Sequence, residues 1–567
     1  MALTVSEDDL PLQCVYRWER KRGQRVFLTQ PDRGGKVRNW TWAQAMAEIR
    51  RMAAHLQAQN WDRGTPVAIL SKNCAWWIMA DLAIWMAGHV TVPIYPSLKP
   101  VSVRRILEHS QSRACFYGGT DDPDVASLGI PPGVDRISLP TAAEQATVSW
   151  ERVMRAMAPL DGSRTRCSED LATIIYTSGT TGQPKGVMHS FGAIAADAVA
   201  LRESVHATAD DRFISYLPLA HIVERCGLEC TAILLGTRIF FVHSIDSFLN
   251  DLKRARATIF LSVPRLLVKL QQGVYGRIPK EKLDKRLRIP LVRYIVKKRI
   301  LAALGLGTVR LAASGAAALP ADILDWYRGL GLPLVEGYGM TETTITHLPP
   351  RESVFAGYVG RALNGVETKI SPEGELLIRS PMNMLGYFHD AEATREAFDA
   401  DGFFHTGDLV AMDCEDQIRI VGRIKDQFKT SKGKYVSPAP IESRLGHHPA
   451  IESCCLMGAG MPSPFALVLL TPETSVRIQD RETRKRLEES LERQLGEINK
   501  ELDPHERLAF LVVVEGPWTI ENGLMTPTLK LRRSGLEGRY LGSIDIWRAM
   551  NRTVVWESVR AEGSLAS

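Results

Sequence analysis

The residues best equipped for chemistry lie in one run, Tyr176-Thr177-Ser178-Gly179-Thr180-Thr181-Gly182-Gln183-Pro184-Lys185-Gly186. Hydroxyls and glycines alternate, and a single lysine, Lys185, stands near the end. Glycines let backbone N–H groups approach a ligand closely and permit positive φ. The hydroxyls add donors and the lysine adds charge, so the cluster suits a polyphosphate. It departs from the P-loop pattern, because Gln183-Pro184 follows Gly182 where that pattern has Lys-Ser/Thr. The bland alternative is a solvated Gly/Ser/Thr linker, which fits poorly with the apolar run Leu171-Ala172-Thr173-Ile174-Ile175 just before it.

Five further segments carry chemistry-bearing groups. Ser215 to Arg225 ends an apolar strand in Pro218 and then presents His221, Glu224 and Arg225; His221 suits a structural role as well as a functional one. Val309 to Ala317 runs into a turn of small residues, where a flat ring could lie against the backbone. Leu334 to Thr343 leads into a loop with an aromatic ring, hydroxyls and Glu342, an oxygen ligand of the kind Mg²⁺ takes beside substrate phosphates. Asp408, after Gly407, is either a turn residue or a carboxylate that holds a diol. Lys530 follows Thr526-Pro527-Thr528-Leu529; a lone lysine there is ordinarily just solvated.

The elements that must position these groups follow from periodicity. Leu171–Ile175 predicts a buried strand and the Ala-rich 192–200 a helix, which puts the glycine-rich loop after a strand and before a helix. Trp42 onward predicts an amphipathic helix through Ala45, Ile49, Met52 and Leu56, with Thr41 and Gln44 as a capping box. Strands at 67–70, 90–94 and 114–117 alternate with helices, one of them from Asn73 to Ala87, which is the mark of a parallel α/β sheet. Residues 120–168 read as loops, and 354–422 as β-rich. The charged break Gly422–Lys429 places a boundary between an N-terminal domain, 1–423, and a C-terminal domain, 424–567. In the latter, helices are expected at 440–446, 484–502 and 542–550 and strands at 464–470 and 508–515. The fold class is thus α/β: layered sheets plus a β-rich subdomain, followed by a small α+β domain.

At 567 residues the chain is too long for one core. Its 45% hydrophobic and 24% charged residues are those of a globular enzyme. A net charge of +6 suits anionic substrates or a membrane surface without identifying either. Nine scattered cysteines form no CxxC pair, as in a reducing cytoplasm. Residues 1–12 have no signal-peptide character, and the most apolar run, Trp76 to Val90, is too short for a membrane span and is interrupted by Asp81. The absence of a GxSxG elbow disfavours hydrolases of that type. No nucleic-acid partner is expected. Residues 277–299 carry ten Lys or Arg against Glu281 and Asp284, with Leu283, Leu287, Leu291 and Ile295 at i, i+4 spacing and Pro290 between two helical turns. This is either a solvated helical insertion or a peripheral patch for anionic lipid.

Taken in order, the loop 176–186, Gly337-Tyr338-Gly339-Met340-Thr341-Glu342, Thr406-Gly407-Asp408, Gly422-Arg423 and Lys530 resemble the acyl-adenylate-forming superfamily over roughly residues 35–535. Leu217-Pro218-Leu219-Ala220-His221-Ile222-Val223-Glu224-Arg225 and Gly433-Lys434-Tyr435-Val436-Ser437-Pro438 are most similar to long-chain fatty acyl-CoA synthetases, although Lys432 stands where many relatives have glycine. The resemblance implies ATP, Mg²⁺ and coenzyme A. It assigns Thr177, Ser178, Gly179, Thr180, Thr181, Gly182 and Lys185 to the β- and γ-phosphates, with Thr177 and Glu342 toward the metal. Gly315, Ala316, Glu336, Gly337 and Tyr338 would hold adenine, Thr341 the α-phosphate, and Asp408 with Arg423 the ribose. His221 would lie near the acyl carboxylate, Lys425 would be a hinge that makes the small C-terminal domain mobile, and Lys530 would bridge carboxylate and α-phosphate. The implied reaction turns a long-chain fatty acid into an acyl-adenylate and then an acyl-CoA; the alternative is a fatty acyl-AMP ligase with another acceptor. A cytoplasmic location, peripheral at the inner face of a membrane, goes with it.

Overall fold

The computed structural model describes residues 3–178, 184–520, 522–526 and 530–557. The chain divides into two compact units, Met1–Lys369 with Leu377–His405, and Ile370–Leu376 with Thr406–Ser567.

In the first unit, helix α1 (Trp42–Gln57) buries Ala45, Met46, Ile49, Met52, Ala53 and Leu56. The expected capping box is present: the Thr41 hydroxyl accepts from the Gln44 N–H at 3.3 Å, and the Gln44 side chain accepts from the Thr41 N–H at 3.0 Å. β1 (Pro66–Leu70), α2 (Ala75–Ala87) and β2 (Val90–Ile94) form a parallel unit. α2 is apolar all round and therefore buried all round. It begins at Ala75 and not at Asn73, because the Asn73 amide is used elsewhere, donating to Ser215 Oγ at 2.8 Å and to the Leu217 carbonyl at 2.6 Å. α3 (Pro100–Ser110) and β3 (Ala114–Tyr117) follow as expected. The stretch 120–168 is more than loops: β4 (Asp135–Ser138) extends the sheet with only Ile137 and Ser138 buried, one on each face, too brief a signal for periodicity to register.

β5 (Leu171–Ser178) and β6 (Pro184–Ser190) complete the large sheet, whose order is Gly386–Tyr387, β6, β5, β2, β1, β3, β4, Val148–Ser149. β5 and β6 are antiparallel, with Thr177 opposite Lys185. The glycine-rich segment therefore joins the arms of a β-hairpin and does not lead from a strand into a helix. The β-competent Val187 and Met188 pair with β5 first, and α4 (Phe191–Val205) starts only after Ser190, whose hydroxyl caps it by accepting from the Ala193 N–H at 3.1 Å.

β7 (Arg212–Ser215) ends before the expected strand reaches Pro218, and a π-helix covers Val223–Cys230. Then β8 (Ile259–Ser262), helices α5 (Pro264–Arg277), α6 (Lys280–Leu287) and α7 (Pro290–Ala303), β9 (Leu311–Ser314) and β10 (Leu334–Glu336) build a second, three-stranded parallel sheet. Pro290 opens α7, where its missing N–H costs nothing. The leucine stripe expected here splits: Leu283 is fully buried, whereas Leu291 is 83% exposed. β11 (Tyr338–Met340), β12 (Thr344–Leu348) and β13 (Tyr358–Ala362) form an antiparallel meander.

The second unit contains the antiparallel pair β14 (Phe404–Met412, from Thr406 on) and β15 (Ile418–Arg423). A four-stranded sheet, β16 (Ile451–Met457), β17 (Phe465–Leu470), β18 (Leu511–Val514) and β19 (Val554–Trp556), packs with α8 (Pro438–Leu445) and the long α9 (Arg481–Glu501). α9 buries Leu487, Leu491, Leu495 and Ile498, one face of a 3.6-residue period.

Candidate active site

Gly179, Thr180, Thr181 and Gly182 lie outside the described residues. What surrounds them can be followed. At the hairpin's base Lys185 Nζ sits 4.7 Å from the centre of the Tyr387 ring. The Tyr387 hydroxyl donates to Glu342 Oε1 at 3.1 Å. Burial, with the neighbouring Glu342 carboxylate, pushes the Tyr387 phenol well above its usual range, so its proton stays on and the donor role is fixed. Tyr387 reaches this position because its short strand pairs with β6, Tyr387 opposite Val187. Cation, ring and carboxylate thus form a chain from the hairpin to the Glu342 loop.

Two more side chains pin that loop from behind. His189, on β6, bonds the Thr341 carbonyl through Nε2 at 2.7 Å. Burial lowers its pKa to about 4, so the ring is neutral and Nε2–H is the donor. Asp197, on α4, accepts from the Ile345 N–H at 3.1 Å; burial raises its pKa to about 7. A third tie runs from the Met384 N–H to the Glu342 carbonyl at 2.7 Å. Thr341 and Glu342 are half-buried and held on both sides, which is the preorganisation an electrostatic site needs. Sequence reasoning missed Tyr387, His189 and Asp197. Only His189 had a signal, its place on the strand leaving the loop.

The small-residue turn lies beside Glu336. β9 and β10 run parallel with Ser314 opposite Glu336, and the Gly337 N–H donates to the Ser314 carbonyl at 2.8 Å. Ala316 adopts φ +68°. A Cβ on Gly339 would come within 2.0 Å of the Thr344 carbonyl oxygen, so that position must be glycine, and one on Gly337 would press against Leu348 Cδ2 at 2.7 Å. Glu336 is buried, its pKa raised to about 7, and its Oε1 accepts from the Leu319 N–H at 2.9 Å. Its side chain thereby braces the 315–319 turn, so any contact with a base falls to the backbone and to half-buried Gly315, Ala316, Gly337 and Tyr338.

His221 stands two residues before the π-helix. Its Nδ1 accepts from the Val223 N–H at 3.2 Å, which puts the ring proton of the neutral form on Nε2. Just beyond it, Glu224 and Arg225 are fully buried. Glu224 accepts from the Tyr216 N–H at 3.0 Å, and burial raises its pKa to about 8. Arg225 bonds Asp81 Oδ1 at 2.8 Å and Glu229 Oε2 at 3.4 Å. The Asp81 that interrupts the apolar run at 76–90 is therefore the counter-ion of a core arginine. Asn73 adds its bonds to Ser215 and Leu217 and also accepts from the Leu219 N–H at 3.0 Å. Segment 215–225 is locked by buried polar groups, a costly arrangement unless each is paired.

In the second unit Asp408 is a strand residue and not a turn residue: it stands on β14 opposite Arg423 on β15, and Arg423 Nε donates to Asp408 Oδ1 at 2.6 Å. Asp408 is buried and Arg423 about half exposed. Lys425 is exposed in a single 3₁₀ turn, Ile424–Asp426. Lys530 is exposed too. Its N–H donates to Thr526 Oγ1 at 3.1 Å, and its carbonyl accepts from the Thr526 N–H at 2.8 Å. Three residues on, Arg533 opens α10 (Arg533–Tyr540) and grips Glu442 with bonds of 2.8 and 3.1 Å, tying the lysine's segment to α8.

No cluster of three or more His, Cys, Asp or Glu that could hold a metal occurs among the described residues. The half-buried carboxylate of Glu342 fits an ion that takes most of its ligands from phosphates and water, as Mg²⁺ does; Thr177, at the foot of the hairpin, is half-buried too.

The sequence family described as AMP-binding enzyme matches residues 15–388, and the one described as AMP-binding enzyme C-terminal domain matches 425–546. A long-chain-fatty-acid–CoA ligase of Mycobacterium tuberculosis is 30% identical over 596 residues, covering 96% of this chain and 97% of that protein. Long-chain-fatty-acid–CoA ligase 1 of Homo sapiens is 27% identical, covering 93% and 85%. Among solved structures, the A domain of carboxylic acid reductase from Segniliparus rugosus, in complex with AMP and a co-purified carboxylic acid, superposes with a TM-score of 0.78 at 21% identity and 97% coverage of both chains. That likeness concerns the fold.

Proposed function

Because the chain belongs to the AMP-binding enzyme family, we propose that it is an ATP-dependent long-chain fatty acid–CoA ligase. The fatty-acid carboxylate attacks the α-phosphorus of ATP, the bond to the β-phosphate breaks and pyrophosphate leaves. A thiolate of coenzyme A, its proton lost to solvent, then attacks the carbonyl carbon, and the bond to AMP breaks. The observation that carries this reading is the chain Lys185–Tyr387–Glu342, which couples a cation at the base of the phosphate-type hairpin to the Glu342 carboxylate. Full-length similarity to long-chain fatty acid ligases supports the choice of acid.

The first step needs no general base, since a carboxylate is already anionic. Its barrier is charge, an anion meeting a polyanion. Thr177, Ser178, Gly179, Thr180, Thr181, Gly182 and Lys185 take the β- and γ-phosphates, and Lys530 takes the carboxylate and the α-phosphate, each neutralising charge where it develops. Thr341 orients the α-phosphate. Glu342, with Thr177, holds Mg²⁺; when bound, that ion offsets the charge of the leaving phosphates. Gly315, Ala316 and Glu336-Gly337-Tyr338 enclose the base, and Asp408, fixed by Arg423, accepts from the ribose hydroxyls. His221 lies by the acyl carboxylate. Residues 424–567 act as a domain that turns about Lys425 between the two half-reactions.

Each methylene buried adds roughly 0.8 kcal/mol, so chain length governs affinity. A cytoplasmic enzyme working at the inner face of a membrane, through 277–299, suits so apolar a substrate; its nine cysteines form no disulfide. The test is AMP release with ATP and a series of fatty acids from short to long, with and without coenzyme A. Release that rises with chain length and requires coenzyme A is expected. Pyrophosphate release with no AMP release, whether or not coenzyme A is present, would favour an acyl-AMP ligase with another acceptor, and release of neither product with any acid would sink the proposal.

A further inference from the structure

Helix α7 is apolar on two sides. Ile300 is buried and Val296 packs against the core of the second parallel sheet. On the other side Leu291, Tyr294 and Ile295 are 83%, 67% and 50% exposed, and Ile289, just before the helix, is 53% exposed. Positions 291, 294, 295 and 298 share one face at i, i+3, i+4 and i+7 spacing. No other stretch of seven described residues exposes more than two large apolar side chains. Single exposed apolar residues need no explanation, but a contiguous set does.

The charge around this face is equally uneven. Residues 277–299 hold ten Lys or Arg and two acidic residues, a net +8, while the whole chain is +6, so the remainder of the protein is net acidic. Lys285, Arg286, Arg288, Arg293 and Lys298 are exposed on α6, α7 and the turn between them. Lys298 Nζ lies 5.8 Å from the Tyr294 ring centre, so a cation borders the apolar face itself. Two copies of this face would repel each other. An apolar stripe ringed by cations complements a different surface, the acyl boundary of a bilayer beneath a layer of anionic headgroups.

We propose that the face formed by Ile289, Leu291, Tyr294 and Ile295, with the exposed lysines and arginines of α6 and α7 around it, docks on the surface of an anionic bilayer. Resting on the fatty-acid reading for its purpose, this contact places the enzyme where a long-chain acid is dissolved. The apolar side chains enter the interface, and the cations engage lipid phosphates and carboxylates. No helix of the described chain is long and apolar enough to cross a membrane, so the contact is peripheral.

The experiment is co-sedimentation of the full chain, without ATP or acid, with phosphatidylcholine vesicles lacking or containing phosphatidylserine. Wild-type protein should bind the phosphatidylserine vesicles at least tenfold more tightly, and the difference should shrink as salt rises. The variant Leu291→Ser/Tyr294→Ser/Ile295→Ser should lose roughly tenfold or more on those vesicles. The variant Lys285→Glu/Arg288→Glu/Lys298→Glu should lose the preference for phosphatidylserine. Both should melt with the wild type and release AMP as fast when the fatty acid is supplied in detergent micelles. Vesicle binding by an enzyme without fatty-acid turnover would sink the ligase reading but leave this surface standing. The docking proposal is overturned by wild-type protein that ignores phosphatidylserine, or by variants that bind as well as wild type. It is also overturned if the serine variant splits an oligomer in sedimentation velocity, because a second copy would then cover the face, or if polyglutamate competes fully and the serine variant still binds as wild type, because an acidic protein would then be the partner.

Discussion

The Glu342 loop and the Lys530 segment are held in opposite ways. Around Glu342, side chains from several elements converge: buried His189 on Thr341, buried Asp197 on Ile345 and half-buried Tyr387 on the carboxylate. Lys530 is exposed; its described backbone bonds are to Thr526, and its anchor, Arg533, lies three residues on. The first is a fixed electrostatic wall. The second is a long cation on a short local turn. The braced carboxylate suits a role that needs fixed charge, and the locally held lysine suits one needed in only one half of the proposed reaction.

The sharpest way to break this contrast is Lys530→Ala. Pyrophosphate release in a single turnover should fall about 10²–10³-fold, the loss typical of one preorganised donor. Thioester formation from added acyl-adenylate should stay within a few-fold of wild type. Equal losses in both halves would make Lys530 part of the fixed wall. Next comes Tyr387→Phe, which removes one donor from Glu342. The proton of a hydrogen bond to a charged group is worth about 1.5–3 kcal/mol, so kcat for adenylation should drop roughly 10–100-fold, with a matching rise in the magnesium concentration needed. An unchanged magnesium dependence would show that Tyr387 only fills space.

The smallest effect is one of pH. Asp197 is protonated more readily in the folded protein, its pKa about 7 against an ordinary 3.8. Between those values the folded state binds more protons than the unfolded one, so this group's share of stability falls as pH rises from about 4 to about 7 and then levels off. Asn keeps an acceptor for the Ile345 N–H and does not titrate. Denaturation midpoints of wild type and Asp197→Asn should therefore shift in favour of the variant between pH 5 and pH 8. A gap that stays constant would mean that the clamp carries no buried acid.

What was legible in the chain was local. The capping box at Thr41 and the strands at 66–70, 90–94 and 114–117 depend on neighbours within a few residues, so period and composition revealed them. The glycine-rich loop was visible for the same reason, but its surroundings were misjudged: 184–190 looked like a lead into a helix, and pairing with β5 made it a strand. The sequence left Asp408 open between a turn residue and a diol-holding carboxylate, and only its partner Arg423, fifteen positions away, shows it to stand on a strand.

Hydrophobic period, cap residues and the types of the reactive groups are written along the chain, and they determined the α/β class and the run of motifs from Tyr176 to Lys530. Which groups meet was decided by tertiary structure. Tyr387 reaches Glu342, His189 reaches Thr341 and Arg225 reaches Asp81 across separations of 45, 152 and 144 residues. Likewise, Leu283 and Leu291, identical in type and in register, part ways into core and solvent. A side chain's identity fixes what it can bind, but burial and pairing depend on what the folded chain brings beside it.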